Sequence, residues 1–190
     1  MDLHVQIERY VPFNEQEARD RCLLLALLES GQELYTRENE VCHLTASAWI
    51  VSPDRQSVLM CYHNIYDSWS WLGGHADGER DLAAVALREV REESGLAHVR
   101  LVSPDIYSLE VLTVDGHVKR GAYVSSHLHL NVTFLVEADP SETLRAKADE
   151  NSGLAWFGLD EAVERSSEPW FRERVYPKLN AKLAGFAAND

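Results

Sequence analysis

The stretch that decides the fold is Gly73-Gly74-His75-Ala76-Asp77-Gly78-Glu79-Arg80-Asp81-Leu82-Ala83-Ala84-Val85-Ala86-Leu87-Arg88-Glu89-Val90-Arg91-Glu92-Glu93-Ser94-Gly95-Leu96. It predicts a glycine turn and then a helix that opens at Asp77 or Gly78, with acidic residues in its first turn, where the helix dipole favours them. Gly95 is placed to end the helix in a left-handed conformation, and Leu96 is placed to pack back on it.

Three glutamates in the second half of this helix share one face. Glu89, Glu92 and Glu93 stand at i, i+3 and i+4, which are neighbouring positions on a helix surface. Each like-charged pair is unfavourable by about 0.2–0.5 kcal/mol, and a divalent cation would remove that repulsion. Oxygen ligands of this kind suit Mg²⁺ or Mn²⁺. The spacing alone leaves two interpretations open, a solvated acidic surface and a metal site.

The opposite side of the helix is apolar and is expected to pack on a sheet. Its members are Ala83, Leu87 and Val90. A helix with one apolar and one acidic face fits a position between a core and a cleft.

The stretch resembles the Nudix box, Gly-x5-Glu-x7-Arg-Glu-φ-x-Glu-Glu-x-Gly-φ, where φ is aliphatic. The matching positions are Gly74, Arg88, Glu89, Val90, Glu92, Glu93, Gly95 and Leu96. One position departs, because Arg80 stands where the box has glutamate and Glu79 comes one residue early. In the family that glutamate mainly steadies the arginine.

The resemblance implies an α/β fold, α+β in some schemes: an α/β/α sandwich around a mixed β-sheet. It covers roughly residues 41–165, within a single domain spanning 1–190. Residues 1–40 are expected to form an added N-terminal helical extension and residues 166–190 a C-terminal helix. The pattern of strands interspersed with few helices agrees with such a layered structure.

The resemblance also implies a reaction, the Mg²⁺-dependent hydrolysis of a diphosphate bond in a nucleoside diphosphate linked to another group. The implied metal ligands are the backbone of Gly74 and the side chains of Glu89, Glu92 and Glu93, with Mn²⁺ as an alternative ion. Arg88 is expected to pair with a helix carboxylate and hold the cluster in shape.

One acidic residue should act as the general base of this reaction, and the sequence does not choose it. Glu92 and Glu93 are candidates, and so is Glu150, which stands before a Trp-containing strand, where many family members supply one more carboxylate. A solvated loop acid is an equally good interpretation of Glu150.

Two alternative functions stay open. An isopentenyl-diphosphate isomerase shares the implied fold and needs a cysteine facing a glutamate, a role for which Cys61 is the one candidate considered. A non-catalytic binding module of this fold usually loses the glutamates, which are present here.

Composition limits the partners. The formal net charge is −13 with a pI of about 5.0, which argues against nucleic-acid binding because that needs clustered Lys and Arg. No apolar run approaches a membrane span, and no secretory signal is visible at Met1 to His4. Cys22, Cys42 and Cys61 have no paired spacing and are expected to be reduced, buried thiols of a cytoplasmic protein.

The remaining elements follow from periodicity. Residues 14–30 predict a helix with Asn14 as N-cap, Glu17 completing a capping box, an apolar stripe and a stop at Gly31. Packing on the domain is favoured for it over shaping the substrate mouth or a homodimer contact. Strands are predicted at 41–52, 57–63, 99–102, 107–114, 128–136 and 154–157, and helices at 159–165 and 169–184.

Three histidines near the box and on or beside the 128–136 strand are expected to have structural rather than metal-binding roles. His75 is expected to be a hydrogen-bonding loop residue rather than a ligand, because Mg²⁺ prefers oxygen. His127 and His129 lie on the polar side of an alternating strand, where they contact substrate or cover an exposed sheet face, and the second role is favoured.

Overall fold

The computed structural model describes residues 2–119, 121–147 and 151–186. Its helices are α1 (Leu3–Arg9), α2 (Glu15–Glu29), α3 (Leu82–Ser94), α4 (Leu159–Arg165) and α5 (Tyr176–Lys182). Its strands are β1 (Cys42–Val51), β2 (Ser57–His63), β3 (Ser68–Ser70), β4 (Leu72–His75), β5 (Val99–Leu101), β6 (Ser108–Val114), β7 (His117–Lys119), β8 (Ala122–Val124), β9 (His127–Ala138) and β10 (Asn151–Gly158).

Among the described residues, eight strands form one mixed sheet. Its main order is β10-β2-β1-β9-β5, with β3 beside β2, β4 beside β1 and β6 beside β9. The central pair, β1 and β9, is parallel, and the other pairs in this sheet are antiparallel. Within the described residues, the short strands β7 and β8 pair only with each other and form a separate two-stranded sheet. The expected mixed sheet with helices packed on it is confirmed.

The central strand β1 divides the core between two faces. On one face Ala46 packs in a cluster with residues of α1, α2 and α3, including Val85. On the other face Trp49 packs with residues of α4 and α5, including Tyr176, whose ring is stacked on it at 5.2 Å. Side chains alternate between faces along a strand, so β1 binds the two helical layers together.

The face toward α4 and α5 is only partly apolar. At one end of β1 it carries His43, Thr45 and Ser47, and the parallel register places these beside His129, Asn131 and Thr133 of β9. All six side chains are polar, although the strands are central. No helix of the apolar cluster covers this end, and a cleft opens there instead.

The chain between β4 and α3 differs from the prediction. The helix begins at Leu82, and Asp81 is its N-cap, accepting a hydrogen bond from the Ala84 backbone N–H at 3.1 Å. Asp77 and Gly78 have positive φ (48° and 90°) and form a turn, so they cannot open the helix. The end of the helix is confirmed, since Gly95 has φ 72° and Leu96 is buried.

Helix α2 confirms its predicted cap and most of its apolar stripe. Asn14 accepts from the Glu17 backbone N–H at 2.9 Å. The Glu17 carboxylate accepts from the Phe13 backbone N–H at 2.7 Å. Leu24 is fully buried and Leu27 and Leu28 pack against the same cluster, whereas Leu23, the fourth member of the predicted stripe, is exposed.

Several smaller expectations also need correction. The thiol of Cys22 is exposed, although Cys42 and Cys61 are buried as predicted and all three are free. The last predicted helix is interrupted by a π-helical turn at Phe171–Val175 before α5. None of the described helices has the length and apolar character needed to cross a membrane.

Candidate active site

A cleft of about 780 Å³ opens at the polar end of the sheet. The loop after β4 and the glutamate face of α3 form one side, and residues around Phe171 form the opposite side. Thr45, Ser47 and Asn131 lie on its floor. The cleft therefore brings the predicted α3 carboxylates against a polar sheet face.

Gly74 and Glu89 are brought into direct contact. A Cβ atom added at Gly74 would lie 2.5 Å from Cδ of Glu89 and within 2.8 Å of both carboxylate oxygens. A side chain at this position would displace the Glu89 carboxylate, so glycine allows that carboxylate to lie on the strand backbone. The structure thus joins two of the predicted metal ligands that are 15 positions apart in sequence.

Glu93 lies deeper than its two neighbours. It is 4% exposed, and its Oε2 accepts a hydrogen bond from the Gly73 backbone N–H at 3.1 Å. Asn151 donates to its Oε1 at 3.4 Å. These bonds fix the orientation of the carboxylate at the inner end of the cleft.

Glu92 is the outermost of the three glutamates. Its side chain is half exposed, with one oxygen 3.9 Å from Arg88 Nε and the other 3.9 Å from Lys147 Nζ. Both distances are longer than a hydrogen bond, so these cations neutralise charge without fixing the carboxylate.

Arg88 lies between the helix carboxylates. Its Nη2 donates to Glu89 Oε1 at 2.9 Å, and the same nitrogen is 3.4 Å from the His75 carbonyl oxygen. The bond to Glu89 raises the pKa of the guanidinium. The arginine is thus linked to both the strand and the helix, which is the pairing expected of it.

The two residues at the departing position of the box do not reach the glutamates. Glu79 accepts from the backbone N–H groups of Arg80 and Asp81 at 2.7 and 2.9 Å. The Arg80 guanidinium lies over the Tyr35 ring, 4.6 Å from its centroid. Both side chains serve the turn before α3, and the Arg88–Glu89 contact forms without them.

The predicted loop carboxylate, Glu150, lies outside the described residues. A different acid, Glu168, lines the cleft from the C-terminal side. Burial raises its pKa to about 7, and its Oε1 is buried without a hydrogen-bond partner among the described residues. A carboxyl with that pKa can exchange a proton near neutral pH. Glu168 stands next to Pro169 in a loop, and no motif in the sequence marks it as a site residue.

Cys61 does not meet the requirement of the isomerase alternative. Its thiol is 1% exposed and packs in an apolar cluster under α3, and its Sγ donates to the Trp71 carbonyl at 3.6 Å. Burial and the neighbouring Glu93 both raise the pKa of the thiol. A thiol placed within the core faces no substrate in the cleft.

Of the floor residues, Thr45 and Ser47 were not predicted, whereas Asn131 belongs to the polar face that the alternation along β9 indicated. Thr45 and Ser47 each donate to Asn131 Oδ1 at 2.9 Å, and Asn131 donates to Glu110 at 3.1 Å. Polar residues alternate along β1 as they do along β9. Two central strands with matching polar faces indicate a cleft rather than an exposed sheet face.

That result also corrects the role favoured for two histidines. Covering an exposed face is wrong for His129, because β9 is a central strand and this side chain lines the cleft. His75 belongs to β4 and not to a loop.

The donor chemistry of the glutamate group fits a hard divalent cation. The Glu89 carboxylate lies against the Gly74 backbone, and Glu93 accepts from the Gly73 backbone N–H. Glu92 lines the same cleft further out. Oxygen donors of this kind match Mg²⁺ and Mn²⁺, and the half-exposed Glu92 leaves the group open to the cleft.

Comparison with known proteins gives a consistent result. The family model of the NUDIX domain matches residues 42–179. No curated protein is significantly similar to the chain.

Three solved structures of similar fold illustrate the match. A C. elegans Ap4A hydrolase in a binary complex is 18% identical over 75% of this chain and 98% of its own, with a TM-score of 0.56. A MutT protein from Methanosarcina mazei Go1 is 14% identical over 76% and 96%, with a TM-score of 0.58. The E. coli dihydroneopterin triphosphate pyrophosphohydrolase is 14% identical over 77% and 97%, with a TM-score of 0.54. At these identities the structures share the fold with this chain.

Proposed function

This chain belongs to the NUDIX family and is a hydrolase of phosphorus-containing anhydrides, and on that premise we propose that it cleaves, with Mg²⁺, the diphosphate bond of a nucleoside diphosphate linked to another group. The observation that carries the proposal is the contact of the Glu89 carboxylate with the backbone of Gly74, beside Glu93 and Glu92 in an open cleft. Mn²⁺ is the alternative ion. The substrate is a small molecule rather than a nucleic acid, since the net charge is −13.

We propose Gly74, Glu89, Glu92 and Glu93 as the residues that hold the cation. When bound, the cation offsets the negative charge of the diphosphate and makes hydroxide available near neutral pH. Arg88 keeps the Glu89 carboxylate in place through its 2.9 Å hydrogen bond. The Gly73 backbone N–H keeps Glu93 in place from the opposite side.

The walls of the cleft fit a substrate with a flat, apolar group. Trp71 and Phe171 line it with their rings edge to face, 5.6 Å apart. Aromatic side chains of this kind offer a surface for a nucleobase and keep water away from the bound group. Of the aromatic residues near the box, Trp69 is absent from the cleft lining because its ring packs on Phe157.

The general base is proposed to be a carboxylate near the scissile bond. Glu92, Glu93 and Glu150 remain candidates, and Glu168 joins them because its pKa of about 7 suits proton transfer near neutral pH. The pH dependence of kcat tests Glu168 as the base, because Glu168→Gln would then remove the dependence on a group with a pKa of about 7.

The test is a turnover screen with Mg²⁺ or Mn²⁺. The panel contains nucleotide sugars, Ap4A, nucleoside triphosphates, dihydroneopterin triphosphate, coenzyme A and prenyl diphosphates, and the products are separated and identified. We expect cleavage of a diphosphate bond that falls by at least about 100-fold in Glu93→Gln. Gln keeps the acceptor for the Gly73 N–H, so the folded structure should persist.

The matched control is Glu161→Gln. Glu161 resembles Glu92 in exposure and in having an arginine four residues away, but it lies on α4 outside the cleft. Full turnover in Glu93→Gln would contradict the assignment of the site. Mg²⁺ binding without cleavage of any diphosphate would favour the non-catalytic binding module, and a prenyl isomer formed without hydrolysis would favour the isomerase.

A further inference from the structure

Three histidines from three strands meet at the outer end of the cleft floor. His43 belongs to β1, His75 to β4 and His129 to β9. One ring nitrogen from each lies within 4.8 Å of the other two. The carboxylates of the glutamate group take no part in this cluster of nitrogen donors.

Sheet register accounts for the cluster. The parallel pairing of β1 with β9 sets His43 directly beside His129. The antiparallel pairing of β1 with β4 sets His75 beside Thr45, two residues further along β1 on the same face. Because these positions lie on central strands, the backbone fixes where the three rings meet.

One ring nitrogen of His43 is hydrogen-bonded to the backbone, and the other has no hydrogen-bond partner among the described residues. It is 4% exposed, and its Nδ1 lies 3.0 Å from the Asn39 carbonyl oxygen. A carbonyl can only accept, so Nδ1 carries the proton and Nε2 keeps its lone pair. Nε2 is buried without a hydrogen-bond partner among the described residues.

A lone pair buried without a donor is unfavourable, because the group has lost its hydrogen bond to water. The ring of His43 is surrounded by those of His75, His127 and His129, with centroids 4.9–5.1 Å away. A metal ion among these rings would satisfy Nε2. Hydrogen bonding of the other ring nitrogen to a carbonyl is the usual arrangement of metal-binding histidine.

A fourth histidine repeats this arrangement. His127 Nδ1 lies 2.8 Å from the Ser125 carbonyl oxygen, which fixes its proton there. Its Nε2 points into the cluster and lies 3.2 Å from His129 Nε2. His127 is therefore oriented as a fourth nitrogen ligand.

We infer that His43, His75 and His129, with His127 as the fourth ligand, form a binding site for a transition-metal ion of the Zn²⁺ class, separate from the glutamate group. Imidazole nitrogens favour Zn²⁺, Co²⁺ or Ni²⁺, whereas Mg²⁺ favours oxygen. Tetrahedral zinc with bonds of about 2.0–2.1 Å holds its nitrogens about 3.4 Å apart. The three ring nitrogens here lie within 4.8 Å of one another, so the rings would approach by up to about 1.4 Å on binding.

The test measures metal binding itself. The full-length protein is treated with a chelator and titrated with Co²⁺ in the presence of excess Mg²⁺, and the visible spectrum reports the coordination. We expect one Co²⁺ per chain in a nitrogen-liganded site that Mg²⁺ does not displace. Zn²⁺ should then displace the Co²⁺ and abolish the spectrum.

Two variants remove ligands from different strands. His129→Gln and His43→Gln should each weaken Co²⁺ binding by at least about 100-fold, since loss of even an outer partner of a metal ligand weakens binding 10–100-fold. Circular dichroism confirms that each variant is folded, and His129→Gln covers the case in which the buried His43 variant is not. The matched control is His98→Gln, because His98 is exposed and far from the cluster in the sheet.

Glu93→Gln separates this site from the glutamate group and should retain the Co²⁺ spectrum. Co²⁺ binding that is lost in Glu93→Gln but kept in His129→Gln would overturn the inference. So would histidine variants that bind Co²⁺ normally but raise the KM for substrate, since the cluster would then bind the substrate directly.

Discussion

Two groups of carboxylates in this molecule have the same residue types and opposite surroundings. Glu17 and Glu110 are fully buried, and two lysines accompany them. Lys178 Nζ lies 2.8 Å from Glu110 and 3.3 Å from Glu17, and Lys182 Nζ lies 2.8 Å from Glu17. The two lysines therefore neutralise the two glutamates, at distances of 2.8–3.3 Å.

The glutamate group of α3 is arranged differently. Arg88 contacts Glu89 at 2.9 Å, but the cations near Glu92 stay 3.9 Å away and the group opens to the cleft. The buried network ties α2 to β6 and α5 and is complete as it stands. The open group has negative charge to spare for a further cation, so the placement of lysines distinguishes a structural cluster from a site.

The largest effect should come from unbalancing the buried network. Lys178→Met leaves Glu17 and Glu110 buried with one cation fewer, and we expect the free energy of unfolding to fall by about 3–5 kcal/mol. Urea denaturation at pH 7 measures it. Arg165→Met removes an exposed ion pair and should change stability by less than about 1 kcal/mol. A loss as small as that control in Lys178→Met would show that the network is not a stabilising unit.

Removing charge from the open group should affect turnover far more than stability. For Glu89→Gln we expect kcat to fall by about 100-fold, equivalent to about 2.7 kcal/mol. Stability should stay within about 1 kcal/mol, because the partner Arg88 is partly exposed. Steady-state kinetics on the best substrate and urea denaturation give the two values. A loss of stability as large as the loss of transition-state stabilisation would show that the α3 glutamates, like the buried network, mainly stabilise the fold.

A smaller effect is expected from moving the carboxylate without removing it. In Gly74→Ala the new Cβ would lie 2.5 Å from Glu89 Cδ, so the side chain has to shift. We expect kcat to fall about tenfold, since misplacement of a reacting group by about 1 Å can reduce the rate up to 100-fold. The control is Gly185→Ala, where no atom lies within 4 Å of the added Cβ. Unchanged kinetics in Gly74→Ala would show that Gly74 is not part of the proposed metal site.

The smallest effects concern pH, and they have opposite signs in the two regions. Burial alone would raise the pKa of Glu17, but Lys178 and Lys182 lower it to about 2. Its contribution to stability is therefore present above pH ~4.5 and is lost as the pH falls toward 2. Glu168 has a raised pKa of about 7, so its folded form retains the proton and stability decreases as the pH rises from about 4.5 to 7.

Urea denaturation between pH 3 and 8 tests both pH dependences, because this is roughly the range over which the two carboxylates titrate. Relative to the parent, Glu168→Gln should gain stability between pH 5 and 8, and Glu17→Gln should lose less at pH 3 than at pH 7. Parallel pH curves for Glu168→Gln and the parent would show that Glu168 is ordinarily solvated.

Local pattern was sufficient for the part of the chain that carries the glutamates. The i, i+3, i+4 spacing of Glu89, Glu92 and Glu93 and the cap at Gly95 were predicted because both depend on the regular geometry of one helix. The helix starts later than predicted because Asp77 and Gly78 form a turn with positive φ, as an Asp-Gly pair often does, and Asp81 caps the helix instead.

The spacing of residues close together in the chain was enough to predict the acidic face of α3 and most strand positions. The box motif indicated the family, and the family resemblance implied the mixed sheet. The tertiary structure alone shows that Glu168 faces the cleft and that three distant histidines meet. The physical reason is that sheet register and helix packing bring together residues tens of positions apart, and spacing along one element carries no information on which of its neighbours it will face.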